Sequence, residues 1–271
     1  INQLFEKHNF TYIYHLAAYA AEGLSPFIRS YNYKNNLIGS TNLINAAVNY
    51  GVECFVFTSS IAVYGSGSPP FRENDQPIPE DPYGIAKYAV ELDLENARKM
   101  FGLNHIIFRP HNVYGPNQNI GDRYRNVVGI FMNQILNDQS LSIFGDGKQT
   151  RAFTNIDDVA PYIAESVNQP LAFNKKLNIG TDKTYSLLEL ADAVCSAMNS
   201  KQKLNMLENR EEVLHAYADH SEFNKIFSSD TQVSLSEGLE KMASWVKSHG
   251  ARTSKPFSNI EIKKGLPETW K

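Results

Sequence analysis

Along the first 110 residues, short apolar runs alternate with longer segments in which apolar positions recur every three or four residues. TYIYHLA (11–17), ECFVFTS (53–59) and NHIIFRP (104–110) are each the length of a buried strand and rich in β-branched and aromatic residues. Between them, residues 36–50 and 82–101 carry helical spacing. The first segment ends before Gly51; the second opens with Asp81 as N-cap and Pro82 at the first helical position, and stops before Gly102. Strand, helix, strand, helix, strand predicts a parallel sheet with right-handed crossovers.

Beyond about residue 115 the pattern loosens. Helices are expected near 124–137, 156–168, 186–199 and 235–249, with short strands at LSIFG and KKLNIG. Ser186 with Glu189 and Ser234 with Glu237 have capping-box spacing and mark two helix starts. The tail, 251–271, is expected to lie against the surface rather than form a domain.

Composition narrows the function classes. A chain of 271 residues, 42% hydrophobic, can bury the core of one large domain or a domain plus a smaller lobe. The net charge of −3 gives no basic field for nucleic acid or an anionic membrane. No stretch approaches the ~20 apolar residues of a membrane span, and INQLFEKHNF lacks the basic and apolar regions of a signal peptide. Cys54 and Cys195 sit in apolar patterns as small hydrophobes, which fits a reducing cytoplasm. His15 has no second His or Cys at ligand spacing, so no metal site is expected.

Candidate chemistry centres on DPYGIAKYAVE (81–91). With 14 tyrosines in the chain, roughly one Tyr-x-x-x-Lys match is expected by chance, so the spacing alone decides nothing. In a helix over 82–101, however, Tyr83 and Lys87 share a face, near the loop TSSIAVYG (58–65) that leaves the preceding strand. Open α/β sheets place ligands at such strand ends. A neighbouring ammonium favours a phenolate, as does a cationic nicotinamide. Ser60, Tyr83 and Lys87 together can take a proton from a sugar hydroxyl while its carbon gives a hydride to NAD. Asp157 and Asp158 read as helix-capping acids, and GDG (145–147) as a turn.

TSSIAVYG, DPYGIAK and RPHNVYGP (109–116), in that order, resemble the extended short-chain dehydrogenase/reductase family, in its NAD-dependent epimerase/dehydratase branch. HLAAYAA (15–21), NLIGS (36–40), SLSIFGDGKQTRAFTNIDDVA (140–160) and REEVLHAYADHS (210–221) extend the likeness over nearly all of residues 1–250. It implies a partial Rossmann-type doubly wound parallel sheet over 1–114. A smaller C-terminal α/β lobe over 115–250 would bind a nucleotide sugar and interleave its elements with the first part. It further implies Ser60, Tyr83 and Lys87 as catalytic residues, and Ala17, Ala18, Asn36, Ser59, Pro110, Tyr83 and Lys87 as NAD-lining. Asn112, Asn126, Val127, Phe144, Arg151, Arg210 and Asp219 would surround the nucleotide diphosphate, two arginines converging from separate loops for charge-assisted bonds. A homodimer through helices 36–50 and 82–101 is implied as well.

The family's first strand and G-x-G-x-x-G turn, which cradle the pyrophosphate, have no counterpart in the sequence, nor does the acid that holds the adenosine ribose. The expectation is a fragment or truncated product lacking ~60 residues upstream, with a strand edge at TYIYHLA left unpaired, binding UDP detectably but NAD poorly and showing no epimerase turnover as it stands. After Ser60, where dehydratase relatives carry an Asp-Glu pair, stand Ile61 and Ala62, which move no proton. That favours 4-epimerisation, and SLSIFG (140–145) resembles the uridine-contacting stretch of UDP-sugar epimerases, which implies a UDP-hexose. A dehydratase or reductase of the same family is the alternative, and a non-catalytic nucleotide-sugar-binding remnant is a second.

Overall fold

The computed structural model describes residues 1–201, 203–209, 213–228 and 232–270. The chain opens with helix α1 (Asn2–Lys7) and strand β1 (Tyr12–His15), then enters one long helical stretch: α2 (Arg29–Tyr33), a π-helical turn (Lys34–Ile38) and α3 (Gly39–Asn49). Helix formation thus begins seven residues before the periodic segment at 36, because RSYNYKN lacks the apolar spacing that marked the rest. Strand β2 (Cys54–Thr58), helix α4 (Pro82–Phe101) and strand β3 (Asn104–Pro110) follow, β2 one residue shorter at each end than expected and the other two with the expected bounds.

Helix α4 is bounded by the anticipated chemistry. Asp81 accepts hydrogen bonds from the Tyr83 and Gly84 amides at 2.8 and 3.1 Å, Pro82 occupies the first turn, and Gly102 ends the helix at φ 77°.

The second half supplies β4 (Val113–Tyr114), α5 (Val127–Leu136), β5 (Leu141–Phe144), β6 (Thr150–Ala152), β7 (Thr154–Asn155) and α6 (Ala160–Glu165). After these come β8 (Lys176–Ile179), β9 (Thr184–Ser186), α7 (Leu187–Met198), β10 (Leu204–Leu207), β11 (His215–Ala216), α8 (Ser221–Ile226) and α9 (Leu235–His249). Ser186 and Glu189 complete a reciprocal capping box on α7, and the Ser234 hydroxyl caps α9. At the head of the 156–168 segment the cap is Asn155, which accepts from the Asp157 amide. Asp157 pairs with Lys241, and Asp158 accepts from the Val233 amide ahead of α9. The two acids therefore tie α9 to this segment, in addition to sitting in its first turn.

Strands β1, β2, β3 and β8 form one parallel sheet in the order β1-β2-β3-β8, so residues 176–179 return to the sheet begun by the first hundred. Its two faces are covered from different parts of the chain. Phe55, Phe57 and Ile107 face α3 and α4, while Cys54, Val56, Ile106 and Phe108 pack on Val159, Ile163, Phe223 and Phe227. Burial on both sides explains the unbroken apolar run CFVF. β1 forms one edge of the sheet, with Tyr12 and Tyr14 exposed. A second core joins α5, α7, α9 and β5 through Phe131, Met132, Val194 and Met242.

The tail does more than lie on the surface. Trp270 packs edge-on against Phe27, Tyr124 and Phe144, Phe257 packs on Tyr19 and Tyr31, and Glu261 accepts from the Ser30 and Tyr31 amides at the start of α2. It straps the first sheet's helices to the loops of the second core.

Candidate active site

Ser60 stands just past the C-terminal end of β2, where its Oγ accepts from the Ala62 amide at 3.1 Å and caps a short 3-10 turn, Ile61–Val63. The first turn of α4 docks directly on that turn: a Cβ built on Gly84 would lie 2.6 Å from the Ala62 carbonyl oxygen. Only glycine permits this approach, and it brings the buried Tyr83 side chain within hydrogen-bonding reach of Ser60. One turn on, Lys87 donates from Nζ to the Thr58 carbonyl at 2.6 Å. The ammonium lies 4.7 Å from the Phe57 ring centroid and 5.8 Å from that of Tyr83.

The three residues expected to be catalytic are thus brought together, but their electrostatics differ from the simple expectation. Burial raises the Tyr83 phenol above its ordinary value, with the Ser60 hydrogen bond opposing it and Glu22 and Asp81 adding to it. Burial also pulls Lys87 down to about 7, opposed by Glu91. Desolvation outweighs the pairing that was expected to lower the phenol.

A ladder of asparagines fixes the neighbouring loop. Asn36, buried in the π-helical turn, accepts from the Tyr19 amide at 2.8 Å and donates to the Tyr19 carbonyl at 3.1 Å and to Asn32 Oδ1 at 2.7 Å. Asn32 in turn donates to the Pro82 carbonyl at 2.8 Å. The loop after β1 is thereby tied to the head of the catalytic helix, leaving Ala17 exposed and Ala18 half-buried on it. Asn32 and Ser25, whose Oγ donates to Asp81 and accepts from the Tyr83 amide, were missed in the sequence. The four-residue spacing of Asn32 and Asn36 was the signal available for the first.

Ser59 is nearby, but its hydroxyl donates to the Glu91 carboxylate at 2.5 Å. Pro110 ends β3. Thr58 Oγ1 is buried with no hydrogen-bond partner among the described residues, a polar atom left over at the same strand end. His15 shares a hydrogen bond with Ser40 at 2.8 Å, and no metal-binding cluster occurs among the described residues.

The residues expected around a diphosphate follow on β3 to β11. Asn112 adopts φ 42° and donates to the Ala152 carbonyl at 3.1 Å. Asn126 caps α5, whose first residue is Val127, by accepting from the Val128 amide at 3.1 Å. Phe144 ends β5 just before the Gly145 turn, its ring against Trp270. Asp219 accepts from the Ser221 amide at 2.8 Å and pairs with Arg72 at 3.4 Å. Arg151 departs from expectation: it sits on strand β6, not a loop, and its guanidinium donates to the carbonyls of Thr150, Val213 and Leu214. Arg210 lies outside the described residues.

Residues 1–180 match the NAD dependent epimerase/dehydratase family. The chain belongs to that family. A putative UDP-glucose 4-epimerase of Methanocaldococcus jannaschii is 32% identical over 217 residues, 79% of this chain and 70% of the relative. The crystal structure of UDP-glucose 4-epimerase with UDP-glucose from Thermotoga maritima superposes with a TM-score of 0.87 at 30% identity, covering 92% of this chain and 81% of that one. UDP-glucuronic acid 4-epimerase from Bacillus cereus, in complex with UDP-glucuronic acid and NAD, gives 0.83 at 28% identity, covering 92% and 78%. The parallel sheet of this family member is of the Rossmann type.

Lys87 yields a pH test. Its folded value of about 7 lies below the ordinary lysine value, so between those limits the unfolded chain binds a proton that the folded one does not. Burying the charged form costs stability below about pH 7, and the cost fades as pH rises toward the ordinary value. Lys87→Met should therefore raise the Tm more at pH 6 than at pH 9, measured by thermal denaturation. An equal change at both pH values would contradict the burial of a titrating amine.

Proposed function

We propose that the protein is a nucleotide-sugar 4-epimerase acting on a UDP-hexose with NAD. The observation that carries this reading is the meeting of Ser60, Tyr83 and Lys87 at the C-terminal end of β2, beside two apolar, buried residues, Ile61 and Ala62. Elimination of water from an oxidised sugar needs a second acid and base, and neither Ile61 nor Ala62 provides one. Reversible oxidation at one carbon needs no more than the trio. This favours an epimerase over the dehydratase of the same family.

The donors at the strand end suit the nicotinamide half of NAD: the Lys87 ammonium, the Tyr83 hydroxyl and the unpartnered Thr58 hydroxyl, beside the loop that Asn36 fixes. Bound NAD supplies the hydride acceptor and, when oxidised, a positive charge that favours the Tyr83 phenolate. In this reading Tyr83 takes the proton of the sugar 4-hydroxyl and later returns it. Ser60 hydrogen-bonds the same oxygen, and Lys87 holds the ribose. Asn112, Asn126, Val127, Phe144, Arg151, Arg210 and Asp219 are proposed to surround the nucleotide, with Ala17, Ala18, Ser59 and Pro110 lining the cofactor. We also propose a homodimer through the helical stretches 36–50 and 82–101, along which Ile38 of the π-helical turn and Ile85 and Leu92 of α4 are exposed.

Two measurements test this. In a chain joined to the family's Gly-rich N-terminal unit, Tyr83→Phe should lower interconversion of UDP-glucose and UDP-galactose by ~10²-fold or more, while UDP affinity by calorimetry stays within a few-fold, because the substitution removes an acid/base and little binding surface. Near-normal turnover in Tyr83→Phe would remove it from the chemistry. Light scattering at micromolar concentration should give twice the monomer mass, and a monomer would count against the helix pairing.

A further inference from the structure

Behind the catalytic face of α4 lies an ion pair shut off from water. Glu91 is one turn beyond Lys87, and Arg109 reaches it from β3 with two prongs, Nη2 to Oε2 at 2.5 Å and Nε to Oε1 at 3.0 Å. Ser59, next to Ser60 in the chain, donates to the same Oε1 at 2.5 Å. The remaining Arg109 nitrogen, Nη1, donates to the Tyr64 hydroxyl at 2.7 Å. That hydroxyl donates to Asn178 Oδ1 at 2.7 Å, and Asn178 Nδ2 donates to the Phe71 and Asp219 carbonyls at 3.0 and 3.3 Å. α4, the ends of β2 and β3, β8 and the loop before Asp219 are thus joined through one chain of buried polar groups.

Burying a carboxylate and a guanidinium is costly, and a pair of well-packed apolar residues stabilises such a place as well or better, so stability is a weak account of it. Position gives a stronger one. Tyr83, Lys87 and Glu91 follow at four-residue intervals on one buried helix face, so the Glu91 charge, held by Arg109 and Ser59, acts on Lys87 from one turn away. We propose that Glu91, fixed by Arg109 and Ser59, is a positioning residue that favours the ammonium form of Lys87 next to Tyr83 and ties the Ser60 strand end to the helix that carries both. This rests on the roles given above to Ser60, Tyr83 and Lys87.

The groups that face Lys87 leave few competitors. β2 offers the Thr58 carbonyl and the Phe57 ring, both uncharged, and α4 offers the Tyr83 phenol, which burial keeps protonated. His15, from β1, is itself lowered to about 4 by burial and by Lys87, so it carries no charge near neutral pH. Glu91 is the charge that opposes the effect of burial on Lys87.

The test is a titration of Lys87 by NMR in protein carrying 13C at the lysine ε carbons, the resonance being assigned through Lys87→Arg. Glu91→Gln should move the midpoint down by roughly 1 unit or more, the usual effect of losing an opposite charge at this range. Because that variant leaves Arg109 buried without a counter-charge, the double variant Glu91→Leu with Arg109→Met provides a folded partner, and it too should titrate lower than the parent. A folded variant in which Lys87 titrates as in the parent overturns the proposal, as does a fall in Tm with no change in that titration. The titration needs no turnover. An unshifted Lys87 in a protein that interconverts UDP-sugars rejects the role of Glu91 alone, whereas a shifted Lys87 in a protein that does not interconvert them rejects the epimerase reading alone.

Discussion

The contact between Arg109 and Glu91 is the constraint on which the site depends, because it is made between the centre of the parallel sheet and the middle of the helix that carries Tyr83 and Lys87. Neither charge has access to water, so each is satisfied only while β3 and α4 keep their relative height and rotation. Such a pair specifies one register more than it adds stability. The same register lets Gly84 sit against the Ala62 carbonyl and the Lys87 ammonium reach the Thr58 carbonyl. Tyr83 and Lys87 are therefore placed on a regular helix, and Ser60, two residues past the end of β2, is held against it by backbone and buried polar contacts.

Placement in a dry pocket has an electrostatic consequence. Desolvation disfavours the charged form of both members of the pair, raising Tyr83 and lowering Lys87 toward neutrality. With both shifted this way the phenol holds its proton and the amine gives its own up more readily, so an added positive charge beside Tyr83 is needed to favour the phenolate.

Much of this was legible in the sequence, and the reasons are local. The buried strands announced themselves because both faces of the sheet are covered, which forces unbroken runs such as CFVF. α4 was readable to its ends because its stops are chemical: Asp81, Pro82 and Gly102. What escaped was non-local. Asn32 looks like any polar residue until Asn36 and the Pro82 carbonyl, fifty residues away, are placed beside it. Arg151 gives no sign of lying on a strand because a three-residue strand has no periodicity to recognise, and two of the carbonyls it bonds lie more than sixty residues on. The tail gave no helical or strand pattern, yet Phe257 and Trp270 pack into an aromatic cluster between the two halves. Aromatic anchors in irregular segments leave no periodic trace.

The account makes the trio a device for removing and restoring hydrogen at one sugar carbon without exchange with water. The most direct test is to incubate the protein, joined to the family's Gly-rich N-terminal unit, with NAD and UDP-glucose deuterated at C4 and to follow the label by mass spectrometry and proton NMR. Retention of the deuterium at C4 of the product UDP-galactose, with a slower rate than for the unlabelled sugar, is the predicted result. Conversion with loss of the deuterium to solvent would contradict it.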